Sequence, residues 1–207
     1  VSGGRGVGSK DNFKIIEDAS HAFGASYNGV PIGGDKRSLA SIFSFHPVKM
    51  ITTGEGGALI LGSEEIWQKG NIIRSHGLDS ASDVRNKKDT CPWYYEQTEI
   101  GYNYRMTEMQ AAMGTVQIAR LPNFVDKRNK LANLYKKKLS NFPIKFQSIS
   151  KDTISSYHLF TIELKDKRFD RDRLYTFLKE NQIRSQVHYI PLYHHPFYKN
   201  LGFRNNY

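Results

Sequence analysis

One cysteine, Cys91, stands in 207 residues. A lone thiol excludes an intramolecular disulfide and fits a reducing compartment. No apolar run approaches the ~18–20 residues that cross a bilayer as a helix, so no membrane insertion is expected. The opening stretch VSGGRGVGSK lacks the apolar segment of a signal peptide, and a cytoplasmic location follows as the expectation. Acids are scarce beside bases: 20 Asp and Glu stand against 30 Lys and Arg, a formal net charge of +10. That excess suits an anionic partner, whether nucleic acid, a membrane surface or a phosphorylated small molecule, without choosing among them. With 39% hydrophobic and 13% aromatic residues the chain has the means to build a packed core. The sequence opens without methionine and closes on LGFRNNY with no terminating helix, which reads as an internal piece of a longer polypeptide.

Short apolar runs alternate with helical patterns. FKIIE (13–17) reads as a strand ending at Asp18, and Asn28-Gly29 as a turn. ASIFSF alternates, with Ile42, Ser44 and His46 on one face, and GGALILG (56–62) reads as a buried strand. Ser63 caps a helix whose first turn is acidic and whose last turn holds Arg74 and His76. Residues 78–99 lack periodicity and read as an irregular excursion. Thr107-x-x-Gln110 is a capping box opening a helix with Met109, Ala112, Met113, Val116 and Ala119 on one stripe. Pro122 is expected to interrupt it before a second helix. YHLFTIEL (157–164) alternates as a strand, residues 170–181 form an amphipathic helix, and 184–193 read as strand then loop. The pattern is that of an α/β layer followed by a smaller α+β unit.

Three chemical readings fail on their own terms. GGRGVGSK has the order Gly8-Ser9-Lys10 where a phosphate loop needs Gly-Lys-Ser/Thr, and no strand precedes it. The lysines of KRNKLANLYKKK (127–138) fall on the solvent side of a helix, with no nucleic-acid recognition motif beside them, so nucleic acid is not an expected partner. His194 and His195 lack the Cys, Asp or Glu cluster of a metal site, and no metal is expected.

A different trio stands out. Asp18 follows a strand, His21 lies three residues on, and Lys49 is the single cation of SIFSFHPVKMITTGEGGALI, between an apolar strand and a Gly/Thr-rich run. Singly, each has an ordinary reading: a loop cap, a core histidine, a solvated cation. Together they are the groups that pyridoxal 5'-phosphate (PLP) requires: an amine for its aldehyde and an acid for its pyridinium proton. Ser44, on the strand face that His46 shares, places a hydroxyl where a phosphate can be held, although an ordinary strand serine reads the same way.

The blocks IIEDASHAFGASYNGVPIGG, ASIFSFHPVKMITTGEGGALI, RSHG, EIGYNYRMTEMQAAMG and SQVHYIPLY resemble, in order and spacing, the DegT/DnrJ/EryC1/StrS family of sugar aminotransferases. The combination FSFHPVK, ITTGEGG and QVHYIPLY is most like the pseudaminic-acid branch. The resemblance implies part of the large domain of a fold type I PLP-dependent transferase, a mixed sheet flanked by helices, over residues 13–106. Connecting helices over 107–140 and an incomplete small α+β domain over 141–207 would follow, with residues 1–12 a non-matching leader. It implies transamination of a UDP- or other nucleotide-linked 4-keto-6-deoxy sugar with L-glutamate as donor, in surface polysaccharide or pseudaminic acid synthesis. Lys49 would be the Schiff-base lysine, Asp18 the partner of the pyridine nitrogen, His21 the residue flanking the ring, and Ser44 a phosphate ligand. Asn103 would reach the phosphate in a neighbouring subunit, implying a homodimer with active sites at its interface. Arg74 and His188 would contact substrate. A truncated, catalytically incompetent fragment of such an enzyme is the alternative expectation.

Overall fold

In the computed structural model, residues 15–79 and 93–203 are described. They fall into two compact units: residues up to Lys138 joined by Gln147–Thr161, and Leu139–Phe146 joined by the residues from Ile162 onward. The leader and the GGRGVGSK stretch lie outside the described residues.

The first unit is organised by a mixed sheet. Strand β1 (Ile15–Asp18) pairs in parallel with β4 (Ser38–Ser44), which pairs antiparallel with β5 (Gly57–Leu61). One face of β4 carries Ser41 and Phe43, and Phe45 continues it. Those rings pack with Ala19 and Ile51 into a core that Phe23, Ile32, Leu121 and Phe124 extend. Phe23 meets Phe43 and Phe45 edge-on, at 4.9 and 5.6 Å between ring centroids. Each such ring, fully buried, stabilises the fold by about 1.5–3 kcal/mol. Glu17 stays on this face because Ser41 Oγ and the Gly33 N–H both donate to its Oε2, at 2.7 and 3.1 Å. The expectation of a fully buried β5 is corrected: Leu59 and Ile60 are each about half exposed. In the described residues β5 pairs on one edge only, with β4.

Between β1 and β4 runs a hairpin of β2 (Ser26–Tyr27) and β3 (Val30–Pro31). Its turn is Asn28-Gly29, at φ 49° and 75°, the left-handed pair that a two-residue hairpin demands. Strand β9 (Thr153–Ile154) joins the other edge of β2.

Helix α1 (Glu64–Arg74) starts where Ser63 accepts from the Ile66 N–H, as expected, but ends at Arg74. His76 lies beyond it at φ 64°, a left-handed conformation that no helix continues. Of the expected irregular excursion at 78–99, residues 80–92 lie outside the described residues; its described ends carry two short strands, β6 (Leu78–Asp79) and β7 (Glu96–Gln97), paired antiparallel.

Helix α2 (Glu108–Lys138) opens with the expected capping box: Gln110 N–H donates to Thr107 Oγ1, and Thr107 N–H to Gln110 Oε1. It does not break at Pro122, which corrects the two-helix reading. A proline removes one intrahelical hydrogen bond. Here both halves are held by packing, Gly114 against Thr53 and Leu121 and Val125 against Gly24 before and after the proline, and Ala132 buried farther on. The stripe Met109, Met113 and Val116 is on one side of α2 but stays largely exposed.

The second unit holds strands β8 (Ile144–Phe146) and β10 (Ile162–Leu164), paired antiparallel, then α3 (Arg171–Glu180) and α4 (Pro196–Asn200). Asp170 caps α3 by accepting from Arg173 N–H at 2.8 Å. Two strand expectations are corrected. Residues 157–161 are not strand, because Tyr157 at φ 45° interrupts the alternation. Residues 184–190 form no strand either: the two-stranded β8–β10 ladder of the described residues does not extend to them. No helix among the described residues is long and apolar enough to cross a membrane.

Candidate functional site

The site begins with register. Parallel pairing sets Ile16 opposite Ala40 and Asp18 opposite Ile42, so Ile16, Asp18, Ile42 and, two residues on, Ser44 share one sheet face. Asp18 and Ser44 are the last residues of their strands. The carboxyl ends of parallel strands are where open α/β sheets gather ligands. The chain turns sharply after β1: Ala19 N–H donates to the Ile42 carbonyl and Ala22 N–H to that of Ala19. Within this turn Ser20 gives Asp18 Oδ1 two hydrogen bonds, from its hydroxyl at 2.6 Å and its backbone N–H at 3.1 Å.

Those bonds hold the Asp18 carboxyl below the ordinary carboxylate range, the hydroxyl first and the backbone N–H second. Desolvation opposes them, and the weaker charges of His21 and then Lys49 push the same way as Ser20.

Lys49 is presented by a pinned loop. Its N–H donates to the His46 carbonyl at 2.9 Å. The Phe45 carbonyl accepts from both Thr53 N–H and Thr52 Oγ1 at 3.0 Å, and Phe45 N–H donates to Gly56. Met50, Ile51 and Thr53, which follow the lysine, are buried. The half-buried Lys49 is therefore carried on a rigid base. Gly54 and Gly56 sit at φ 82° and 155°, and a Cβ on Gly56 would collide with Thr53 Oγ1. Ser44 lies at the start of this loop, its Oγ 3.5 Å from the His46 N–H.

Arg74 and Asn103 belong to a second cluster. Ser75 and Asn103 form an isolated β-bridge, Tyr104 N–H donates to the Arg74 carbonyl, and His76 N–H to that of Tyr102. Gly77 and Gly101 allow this approach, because a Cβ on Gly77 would overlap the Glu99 carbonyl and one on Gly101 the Gly77 nitrogen. Asn103 is exposed, Tyr102 and Tyr104 stack with centroids 4.7 Å apart, and Arg105 lies 3.2 Å from His76 Nε2. Among the described residues no hydrogen bond, ion pair or ring contact joins this cluster to Asp18 or Lys49. His188 lies in the second unit, exposed, its ring 4.1 Å from that of Tyr189.

Two residues escape sequence reasoning. Ser20 was missed although the spacing Asp-x-Ser, in which an aspartate accepts from the backbone two residues on, could have found it. His158, whose ring meets that of His21 edge-on at 4.5 Å, carries no local signal. No group of three or more His, Cys, Asp or Glu among the described residues is placed to hold a metal.

The sequence profile of the DegT/DnrJ/EryC1/StrS aminotransferase family matches residues 5–206. The chain belongs to that family. Among curated members, it is 39% identical over 197 residues to UDP-4-amino-4,6-dideoxy-N-acetyl-beta-L-altrosamine transaminase of Campylobacter jejuni, covering 93% of this chain and 49% of the relative. It is 35% identical to the enzyme of the same name from Helicobacter pylori. Among solved family structures, the putative sugar aminotransferase Spr1654 of Streptococcus pneumoniae in its PMP form superposes with TM-score 0.82 at 29% identity, over 92% of this chain and 49% of that one. Helicobacter pylori PseC, an aminotransferase of pseudoaminic acid biosynthesis, gives TM-score 0.79 at 33% identity over 93% and 49%. The chain spans about half the length of these relatives. The fold is therefore that of sugar aminotransferases of fold type I, as the sequence blocks implied, and the likeness extends to members acting in the pseudaminic-acid branch.

Proposed function

We propose that this chain carries the cofactor-attachment half of a PLP-dependent sugar aminotransferase. That enzyme moves the amino group of L-glutamate to the keto carbon of a nucleotide-linked 4-keto-6-deoxy sugar, releasing 2-oxoglutarate. The observation that supports the reading is that Asp18 ends β1 while the loop carrying Lys49 follows the end of β4, the strand paired in parallel with β1.

The donor set fits the cofactor. When bound, PLP supplies an aldehyde that an amine attaches to and a pyridinium ring that withdraws electrons from the substrate's reacting carbon. Asp18, kept ionised by Ser20, would accept a hydrogen bond from the protonated ring nitrogen and hold that proton in place. Lys49 would anchor the aldehyde and, once displaced, carry a proton to and from the reacting carbon. Ser44 would donate its hydroxyl to a phosphate oxygen, and His21 would flank the ring beside Asp18. The pinned 45–56 loop limits the travel of the lysine amine, as proton transfer at a fixed distance requires. Asn103 on its exposed bridge would serve the phosphate of a second copy in a homodimer, and Arg74 and His188 are assigned to substrate contacts. Residues 13–106 would form part of the large domain and 141–207 part of the small one.

A second reading, in which the 207 residues hold the cofactor without turnover, is favoured by one observation. The sheet face bearing Asp18 leaves Ile16, Ile42 and Leu59 at 62%, 40% and 52% exposure.

The test is reconstitution. Addition of PLP should give a visible absorbance band, and borohydride should fix the cofactor mass on the peptide containing Lys49. Lys49→Ala should abolish both, and a band unchanged by that substitution refutes the assignment. Glutamate with a nucleotide-linked 4-keto sugar should yield an amino sugar by mass spectrometry. Cofactor retention without that product supports the second reading.

A further inference from the structure

Residues 155–158 form a strap across α2. Asn129 Nδ2 donates to the Ser155 carbonyl at 2.8 Å, and Arg128 to the carbonyls of Tyr157 and His158 at 2.8 and 3.3 Å. Lys136 Nζ reaches the Tyr157 hydroxyl at 2.8 Å. Ser156 and Tyr157 are buried, and Ser156 Oγ lies 3.4 Å from the His21 carbonyl. A bulky residue at φ 45° is strained by about 1–3 kcal/mol and persists only where its surroundings over-determine it. Three side chains of α2 supply that restraint here. The left-handed kink at Tyr157 breaks the strand alternation, and the residue after it, His158, sets its ring edge-on against His21.

We propose that His158 is a positioning residue for His21: the strained, clamped strap holds its imidazole against the His21 ring and so fixes His21 beside Asp18. Nothing in the assigned chemistry uses His158, and His21 is an exposed side chain on a turn. An edge-to-face ring contact gives such a side chain a preferred orientation. The same strap explains why α2 carries Arg128, Asn129 and Lys136 within two to three turns: they turn toward residues 155–158. The charge of His21 helps to keep Asp18 ionised, so its placement reaches the carboxylate as well.

The inference rests on the reading of His21 as a site residue, but its test needs no cofactor. Failure to bind PLP would sink the functional reading alone, and a freely moving His21 would sink this one. In the 207-residue chain with labelled histidines, NMR should show a ring-to-ring cross-peak between His21 and His158. His158→Ala should shift the His21 ring resonances and raise the midpoint of the Asp18 carboxyl titration, with amide spectra elsewhere unchanged. His158→Phe, which keeps a ring edge in place, should restore both. Should the alanine variant fail to fold, the phenylalanine variant and the wild-type cross-peak still decide. Absence of that cross-peak, or His21 and Asp18 signals that ignore both substitutions, overturns the proposal.

Discussion

Ser20 donates twice to one oxygen of Asp18, through its hydroxyl at 2.6 Å and its backbone N–H at 3.1 Å. The serine thereby sets the ionisation of the carboxylate assigned to the cofactor ring. Ser20→Ala deletes the larger contribution and should move the Asp18 midpoint up toward 3.8, read by carboxyl carbon NMR. The sign follows from linkage: a carboxyl depressed in the folded state stabilises above its unfolded pKa and loses that stabilisation as pH falls. The variant should show a shallower loss of stability in acid. At neutral pH it should cost about 1 kcal/mol or less, because the pair is exposed to solvent.

Ile51, two residues beyond Lys49, is 2% exposed and anchors the loop in the core. Ile51→Ala should cost about 2–5 kcal/mol in urea unfolding. PLP uptake should weaken with it even where the chain remains folded, while Lys49→Ala should leave the urea midpoint close to that of the wild type. A Lys49→Ala variant as unstable as Ile51→Ala would show that the lysine is structural.

Gly77 sits at φ 72° with the Glu99 carbonyl against its α-carbon. Gly77→Ala adds about 1–3 kcal/mol of backbone strain to a direct overlap. The expected result is loss of the Ser75–Asn103 bridge, seen as displaced amide signals for residues 101–105. Signals of the Lys49 loop should hold their positions.

Asp35 provides a control on an exposed loop. Arg37, through its side chain and then its backbone N–H, lowers the Asp35 carboxyl from 3.8 to about 2. Its stabilisation is complete above the unfolded value and disappears as pH falls through about 2. Arg37→Ala should return the midpoint toward 3.8 in the same NMR titration, and a midpoint that stays near 2 would refute the pairing.

The elements that local chemistry dictates were legible before the fold. Ser63, the Thr107–Gln110 box and Asn28-Gly29 each satisfy a backbone requirement within four residues, and each is found as read. Asp18, His21 and Lys49 were legible as a chemical set because each is an ionisable type that the chemistry of an aldehyde cofactor asks for. Apart from Ser20, two residues from Asp18, what escaped depends on partners distant in sequence. Pro122 stays helical because contacts with Gly24 hold α2 on both sides of it. Residues 157–161 look like a strand by alternation, yet Arg128, Asn129 and Lys136 impose another backbone. The run 184–190 has a strand's composition, but no neighbouring strand among the described residues pairs with it.

The edge of β2 is completed by β9, so Ser26 and Tyr27 find their partners about 125 positions downstream, at Ile154 and Thr153. Ribosomes add roughly 5–20 residues per second, so this pairing waits several seconds after the hairpin has emerged. During that interval Tyr27 and its neighbours present an open strand edge, a template for pairing with other nascent chains. The arrangement makes biogenesis sensitive to any interruption before position 155, and stop codons placed just ahead of it should send the product into aggregates.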